Sequence, residues 1–274
     1  MGGDAPLIRL DHVGKWFLTP DGERREVLAD VCLEVQAGEF VCVLGPSGCG
    51  KSTLIHLLAG FERPTSGTVR IDGQPVNGPD PSRILLSQDG GLLPWRTVLQ
   101  NVLLGLEARR MPRDEARARA IEYLETVGMR GQENNFPHQI SGGMRQRVAL
   151  ARALAVHPEV LFMDEPFAAL DTFARFRLQD ELLRLWRELK QTVLFVTHDL
   201  DEAVYLASRI VLLAPNPGRV EQTLAVHLDR PCDRTGPAFT EYRRQVYQAF
   251  ELVAQAASDD TIEPPPEAGR AGPR

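Results

Sequence analysis

The chain has 274 residues, 43% of them hydrophobic and 25% charged, with a formal net charge of -6 and a pI near 5.6. That length suits one large α/β domain with an insertion, or two small domains, and the acidic balance gives no general footprint for a nucleic-acid partner, which usually shows as a basic face or stripe. No apolar run approaches a membrane span, the start MGGDAPLIRL lacks the regions of a secretory signal, and Cys32, Cys42, Cys49 and Cys232 form no CxxC pair; a cytoplasmic chain with reduced thiols is expected.

Leu7 to Phe17 reads as a strand, with Ile8, Leu10 and Val13 apolar among polar neighbours, and Val31, Leu33 and Val35 form a second alternating run. Both are expected as antiparallel strands flanking the core that follows. Phe17 stands where an aromatic either stacks on a purine or simply packs on an edge strand.

The apolar run Phe40 to Leu44 leads into GPSGCGKST and then into Leu54, Ile55, Leu57 and Leu58. A buried strand, a glycine turn and a helix are the context a phosphate-binding P-loop requires. In the loop of Gly45, Pro46, Ser47, Gly48, Cys49 and Gly50, the three glycines are expected to allow the turn that brings backbone N–H groups onto phosphate oxygens, with the positive end of a helix starting near Lys51. Lys51 then reaches the β and γ phosphates, Ser52 ligates Mg²⁺, and Thr53 completes the motif. Because Cys49 lies inside this loop, its alkylation is expected to inhibit, with ATP protecting.

Thr68 to Ile71 and Ile84 to Leu86 read as further strands. After the second comes Gln88, an amide at a strand end that can bind Mg²⁺ or a water, and then the loop DGGLLPWRT. Thr97 and Gln100 have capping-box spacing, and a further helix follows Pro112 with Gly128 as its stop. The region of about 89–157 therefore reads as a helical subdomain inserted between strands of the core. Leu92, Leu93, Pro94 and Trp95 form either an interaction surface or a loop packed back on its own helices.

Ser141, Gly142 and Gly143 open a strong helical run, offering a second set of N–H groups and a hydroxyl to an anion. Val160 to Met163 is an all-apolar run suited to a central parallel strand, and it ends in Asp164 and Glu165, where open α/β sheets bind ligands. Asp164 is the expected Mg²⁺ carboxylate, direct or through water, and Glu165 is placed to polarise a water against the γ-phosphate. Val193 to Val196 repeats the pattern and delivers Thr197, His198 and Asp199 to the same sheet edge; Asp199 with Glu202 is expected to cap the next helix and leave His198 facing the phosphates. Ile210 to Leu213 and Val220 to Leu228 read as two more strands, a last helix carries Phe239, Tyr242, Val246, Phe250 and Val253 on one packing stripe, and the tail from Ser258 to Arg274 reads as disordered.

GPSGCGKST, Gln88, ISGGMRQR, VLFMDEP, the ALD of Ala169 to Asp171 and His198 together resemble the ordered motif set of an ABC-type ATPase subunit, over roughly residues 7–250. The resemblance implies an α/β fold: a P-loop NTPase (RecA-like) core with an antiparallel β subdomain and an inserted α-helical subdomain. It makes Phe17 the aromatic on adenine, Gln88 the Q-loop glutamine, Ser141 to Met144 the family signature, Glu165 the catalytic base, Asp171 the D-loop aspartate and His198 the switch histidine. Met144 and Ile140 depart from the usual glutamine and leucine, at positions where the backbone makes the contact. The resemblance also implies ATP and Mg²⁺ as cofactors, and a head-to-tail pair of cassettes in which each signature closes over the other's ATP. LLPWRTVLQNV, the PGRV turn and RPCDR look most like importers of the nitrate, sulfonate and taurine group. That implies permease subunits, a solute-binding protein and a place at the cytoplasmic face of the membrane. The rival readings are a soluble ABC ATPase of DNA repair or translation, which would carry a long coiled coil or a second cassette, and a non-hydrolysing nucleotide switch, which would lose Glu165 or His198.

Overall fold

The computed structural model describes residues 5 to 259. Strands β1 (Ile8–Leu18) and β2 (Arg24–Val35) pair antiparallel, and β3 (Phe40–Leu44) runs into helix α1 (Lys51–Ala59). Then come β4 (Ser66–Ile71), β5 (Gln74–Pro75) and β6 (Arg83–Leu86). Helices α2 (Val98–Ala108), α3 (Arg113–Thr126) and α4 (Gly142–Ala155) separate β6 from β7 (Val160–Asp164). The chain closes with α5 (Thr172–Leu189), β8 (Thr192–Thr197), α6 (Leu200–Leu206), β9 (Arg209–Ala214), β10 (Arg219–Ala225) and α7 (Pro237–Asp259).

Two sheets result. The smaller has the order β2-β1-β4-β5 and is antiparallel; the larger has the order β10-β9-β3-β8-β7-β6, parallel throughout except for β10 at its edge. This is the RecA-like core with an antiparallel β subdomain and an inserted helical subdomain that the motifs imply. The pleat explains the continuous apolar runs. Phe40, Cys42 and Leu44 of β3, Leu161 and Met163 of β7, and Val193 and Phe195 of β8 enter a core shared with α2 to α7. The alternate residues Val41, Val43, Val160, Phe162, Leu194 and Val196 enter a second core with α1 and the antiparallel sheet. A strand covered on both faces has no polar side to show. Leu54, Ile55, Leu57 and Leu58 of α1 are fully buried in that second core, each contributing about 1.5–3 kcal/mol relative to exposure.

Most boundaries fall where the sequence places them. Thr97 Oγ1 accepts from Gln100 N at 3.3 Å, and Gln100 Oε1 accepts from Thr97 N at 2.9 Å, closing the expected capping box of α2. Phe239, Val246 and Val253 of α7 are buried, with Tyr242 and Phe250 packed beside them. Two expectations need correction. The strand expected to reach Leu228 leaves the sheet after Ala225, because Val226 N turns to Ser208 O and His227 N to the Tyr242 hydroxyl. The tail expected from Ser258 begins inside α7, which runs to Asp259; residues 260–274 lie outside the described residues. Among the described residues no helix is long and apolar enough to cross a membrane.

Candidate active site

Parallel order determines where the site forms. β3, β8, β7 and β6 are adjacent and point the same way, so the residues after each strand emerge along one edge. Gly45 to Gly50 follow β3, Thr197 ends β8 with His198 just after it, Asp164 ends β7 with Glu165 just after it, and Gln88 lies two residues beyond β6.

The phosphate loop is built from backbone. Gly50, the N-cap of α1, has φ 98° and no capping side chain. Leu54 N is the first N–H to bond back, to Gly50 O at 2.9 Å, so the N–H groups of Lys51, Ser52 and Thr53 are the free donors of a helix start. A Cβ on Gly45 would stand 2.7 Å from Cys49 Sγ and 2.8 Å from Leu213 O, so no larger residue fits there. Ser47 and Gly48 are exposed and Pro46 is half-buried at the loop's crest. The Lys51 ammonium lies under the loop, donating to Gly45 O at 2.8 Å and Pro46 O at 2.9 Å, which leaves one of its three donors uncommitted.

Ser52 and Asp164 form the hard-oxygen pair. Asp164 is 8% exposed; burial raises its carboxyl above the usual range, and the Ser52 hydroxyl bonded to it pulls the other way. A hydroxyl, a buried carboxylate and the exposed amide of Gln88 on the neighbouring strand end are the oxygen donors that Mg²⁺ takes alongside phosphate and water. The donor set therefore fits the ion.

Glu165 is held in a conformation that few non-glycine residues adopt, with φ 45°. Its N–H donates to Val196 O at 2.9 Å, tying the end of β7 to β8, and its Oε2 lies 3.1 Å from His198 Nδ1. The Glu165 side chain is 19% exposed and that of His198 58%, so the carboxylate is sheltered and the imidazole faces outward. Behind the pair lies a cavity of about 90 Å³ walled by Glu165, Ala168, Arg175, Thr197, His198, Asp199 and Glu202.

Three other residues stand apart. Phe17 is 38% exposed and carries the Lys15 ammonium 4.6 Å above its ring; it pairs with Arg25, two residues before Val27, whose carbonyl crowds Gly50. Ser141 caps α4, its Oγ accepting from Met144 N at 3.3 Å, with Gly142 exposed and Gly143 half-buried. α4 packs on α2, α3 and β6, and no hydrogen bond joins residues 141–144 to the phosphate loop among the described residues. Asp171 caps α5, accepting from Ala174 N at 2.9 Å, a bond that lowers its carboxyl below the usual range. One chain thus supplies two sets of free helix N–H groups in separate places.

Two expectations fail here. Cys49 is 1% exposed, and burial raises its thiol above the ordinary range, so it is a poor target for alkylation instead of an accessible one. Glu202 does not complete a capping box with Asp199. Asp199 Oδ1 does accept from Asp201 N at 2.8 Å and Glu202 N at 3.2 Å, but Thr197 Oγ1 takes the Asp199 N–H at 3.0 Å, and the Glu202 side chain turns inward. Arg175 and Glu202 were invisible as site residues in the sequence. The only signal was an acid in a helix first turn and an arginine one turn after Asp171.

A parallel sheet that gathers a phosphate loop, an acid pair and a histidine along its carboxyl edge defines the class, a P-loop nucleoside triphosphatase. A model of the ABC transporter family matches residues 28–168, and the chain belongs to that family as an ATP-hydrolysing cassette. It is 47% identical over 261 residues to the nitrate import ATP-binding protein NrtD of Synechococcus elongatus, covering 93% of this chain and 94% of that one. It is 45% identical over 230 residues to the taurine import ATP-binding protein TauB of Yersinia pestis, covering 81% and 90%. A solved dimeric, post-hydrolysis ATP-binding cassette, MJ0796 bound to ADP and Pi, is 34% identical with a TM-score of 0.74, covering 81% of this chain and all of that one.

Proposed function

We propose that this chain is the ATP-hydrolysing subunit of an importer for a small oxyanion or sulfonate, such as nitrate, taurine or an alkanesulfonate. The Glu165–His198 pair beside the phosphate loop is the observation that carries the hydrolytic half. The names of the similar nitrate and taurine import proteins support the transport half. The rival non-hydrolysing switch has no use for a sheltered carboxylate held 3.1 Å from an imidazole.

In this reading the loop from Gly45 to Thr53 binds the triphosphate through its N–H groups, and Lys51 turns its free donor to the β and γ oxygens. Mg²⁺, held by Ser52 with Asp164 and Gln88, would neutralise charge developing on the phosphates. Glu165 orients and deprotonates the attacking water, His198 holds Glu165 and faces the γ-phosphate, and Phe17 stacks on adenine.

Two cassettes pair, so that Ser141 to Gly143 and Asp171 of one meet the nucleotide of the other; the dimeric solved cassette supports this arrangement. Leu92 packs back on the helical core and half-buried Leu93 is held by its backbone to Asn101, while Trp95 is 71% exposed and forms the contact with a membrane permease. The cassette then sits at the cytoplasmic face of the membrane, served indirectly by a solute-binding protein. Co-purification from membranes with a multi-span permease, together with ATP-dependent phosphate release, tests the proposal. Phosphate release with no membrane partner would favour a soluble ATPase.

A further inference from the structure

We propose that Arg175, Gln179 and Glu202 form a positioning network that aims His198 at Glu165 and ties the histidine loop to the segment leading into Asp171. The proposal rests on the reading of Glu165 and His198 as the hydrolytic pair.

An acid in the first turn of a helix normally lies in water, where it favours the helix dipole. Glu202 instead is 5% exposed. Its Oε2 accepts the Thr197 hydroxyl at 2.8 Å, and its Oε1 accepts Gln179 Nε2 at 3.2 Å and lies 3.8 Å from Arg175 Nε. Arg175 also places Nη1 3.3 Å from Asp199 Oδ2 and donates Nη2 to Leu170 O at 3.4 Å. Both neighbours of His198 are therefore gripped, Thr197 by Glu202 and Asp199 by Arg175. The same guanidinium reaches the carbonyl immediately before Asp171.

Burying a charged group in this way is a poor route to stability, since an apolar set of the same volume generally does as well or better. The network is also incompletely bonded: Arg175 Nε and Gln179 Oε1 are buried without a hydrogen-bond partner. A buried polar cluster with spare donors and acceptors can exchange partners over a short movement. It borders the cavity behind Glu165 and His198, so such a movement reaches the pair directly.

The charge on Glu202 is the natural control. Burial first, opposed by the Thr197 bond, pushes its carboxyl up to about 7. The charged and titratable groups facing it are Arg175 on α5, His198 and Asp199 after β8, Glu165 after β7 and buried Cys42 on β3. Asp201 is paired with Arg243 of α7.

Steady-state ATP hydrolysis by the full-length protein tests the idea, with wild type, Glu202→Gln, Arg175→Lys and Glu165→Gln measured between about pH 6 and 9. Glu202→Gln is expected to lower kcat about 10- to 100-fold while leaving KM and fluorescent-nucleotide binding within about twofold. It should also erase an inflection near pH 7 in the wild-type kcat profile. Arg175→Lys keeps the charge and loses the fork, and should fall between the two. An unchanged kcat and pH profile in both network variants, or an equal loss of nucleotide binding and turnover, overturns the proposal. If Glu165→Gln keeps full turnover, the reading of the hydrolytic pair fails instead; if it alone loses turnover, only the network fails.

Discussion

The β3–α1 and β8–α6 junctions are both strand-to-helix turns on the same sheet edge, yet they are built by opposite means. At β3–α1 the chemistry lies in the backbone: glycine allows the left-handed turn at φ 98°, and the free N–H groups of Lys51 to Thr53 are the donors. At β8–α6 it lies in side chains, with Thr197, Asp199 and Glu202 bonded to one another and to residues of α5, Asp199 to Arg175 24 positions earlier and Glu202 to Gln179 23 positions earlier. The first junction is rigid because its conformation is forced. The second is adjustable because its bonds can be exchanged. A hydrolase needs both, a fixed cradle for the substrate and a movable setting for the group that senses it.

The comparison breaks first at Glu165. If the sheltered carboxylate is the base, Glu165→Gln should keep ATP binding and lose 10²- to 10⁴-fold in turnover, about 3 to 5 kcal/mol of barrier. Wild-type phosphate release from that variant would move the chemistry away from the β7 and β8 strand ends.

Next comes the forced cradle. A methyl at position 50 would meet Leu28 Cδ2 at 2.7 Å and Val27 O at 3.0 Å, in a dihedral region closed to alanine. Gly50→Ala should therefore cost about 2 to 4 kcal/mol in urea unfolding. A midpoint shift of less than about 1 kcal/mol would show that the loop yields more easily than its geometry indicates.

The two junctions also differ in how they could be read beforehand. GPSGCGKST carries its requirements in adjacent residues, as do the apolar runs of β3, β7 and β8, whose double burial removes polar positions. The Glu202 network depends on α5, an 18-residue helix whose local signals are only Asp171 as its N-cap and the apolar spacing of Leu178, Leu182 and Leu185, which are buried on its inner face. Spacing suggested a capping box at Asp199 and Glu202, because a local rule cannot see that Thr197 takes the N-cap bond first. Cys49 misled for the same reason: membership of an exposed motif says nothing about which way one side chain packs.

Linkage sharpens the second junction. The Glu202 carboxyl rises from its ordinary 4.5 to about 7 on folding, so the folded state holds this proton more tightly. Its contribution to stability is complete below about pH 4.5 and is lost as pH rises through 7. Glu202→Gln removes that dependence. Relative to the variant, wild type should lose on the order of 2 kcal/mol between about pH 5 and 8. Parallel pH curves for the two proteins would mean that Glu202 stays ionised in the fold.

The smallest effect belongs to the most legible feature. Thr97 and Gln100 close a capping box at the start of α2, recognisable from four residues of sequence. Thr97→Ala removes one acceptor for an otherwise free helix N–H, while Val98, Leu99, Val102 and Leu106 remain buried in the main core. The cost should be about 1 kcal/mol in denaturant unfolding, with nucleotide binding unchanged. Asn101, fully buried beside the cap, donates to Leu93 O, Arg96 O and Thr97 O at 3.1, 3.0 and 3.0 Å, so the preceding loop has an independent tether. A loss of several kcal/mol would mean that the cap, not Asn101, holds the loop that presents Trp95. Local legibility and energetic weight would then coincide at this helix, as they do at Gly50 and do not at Glu202.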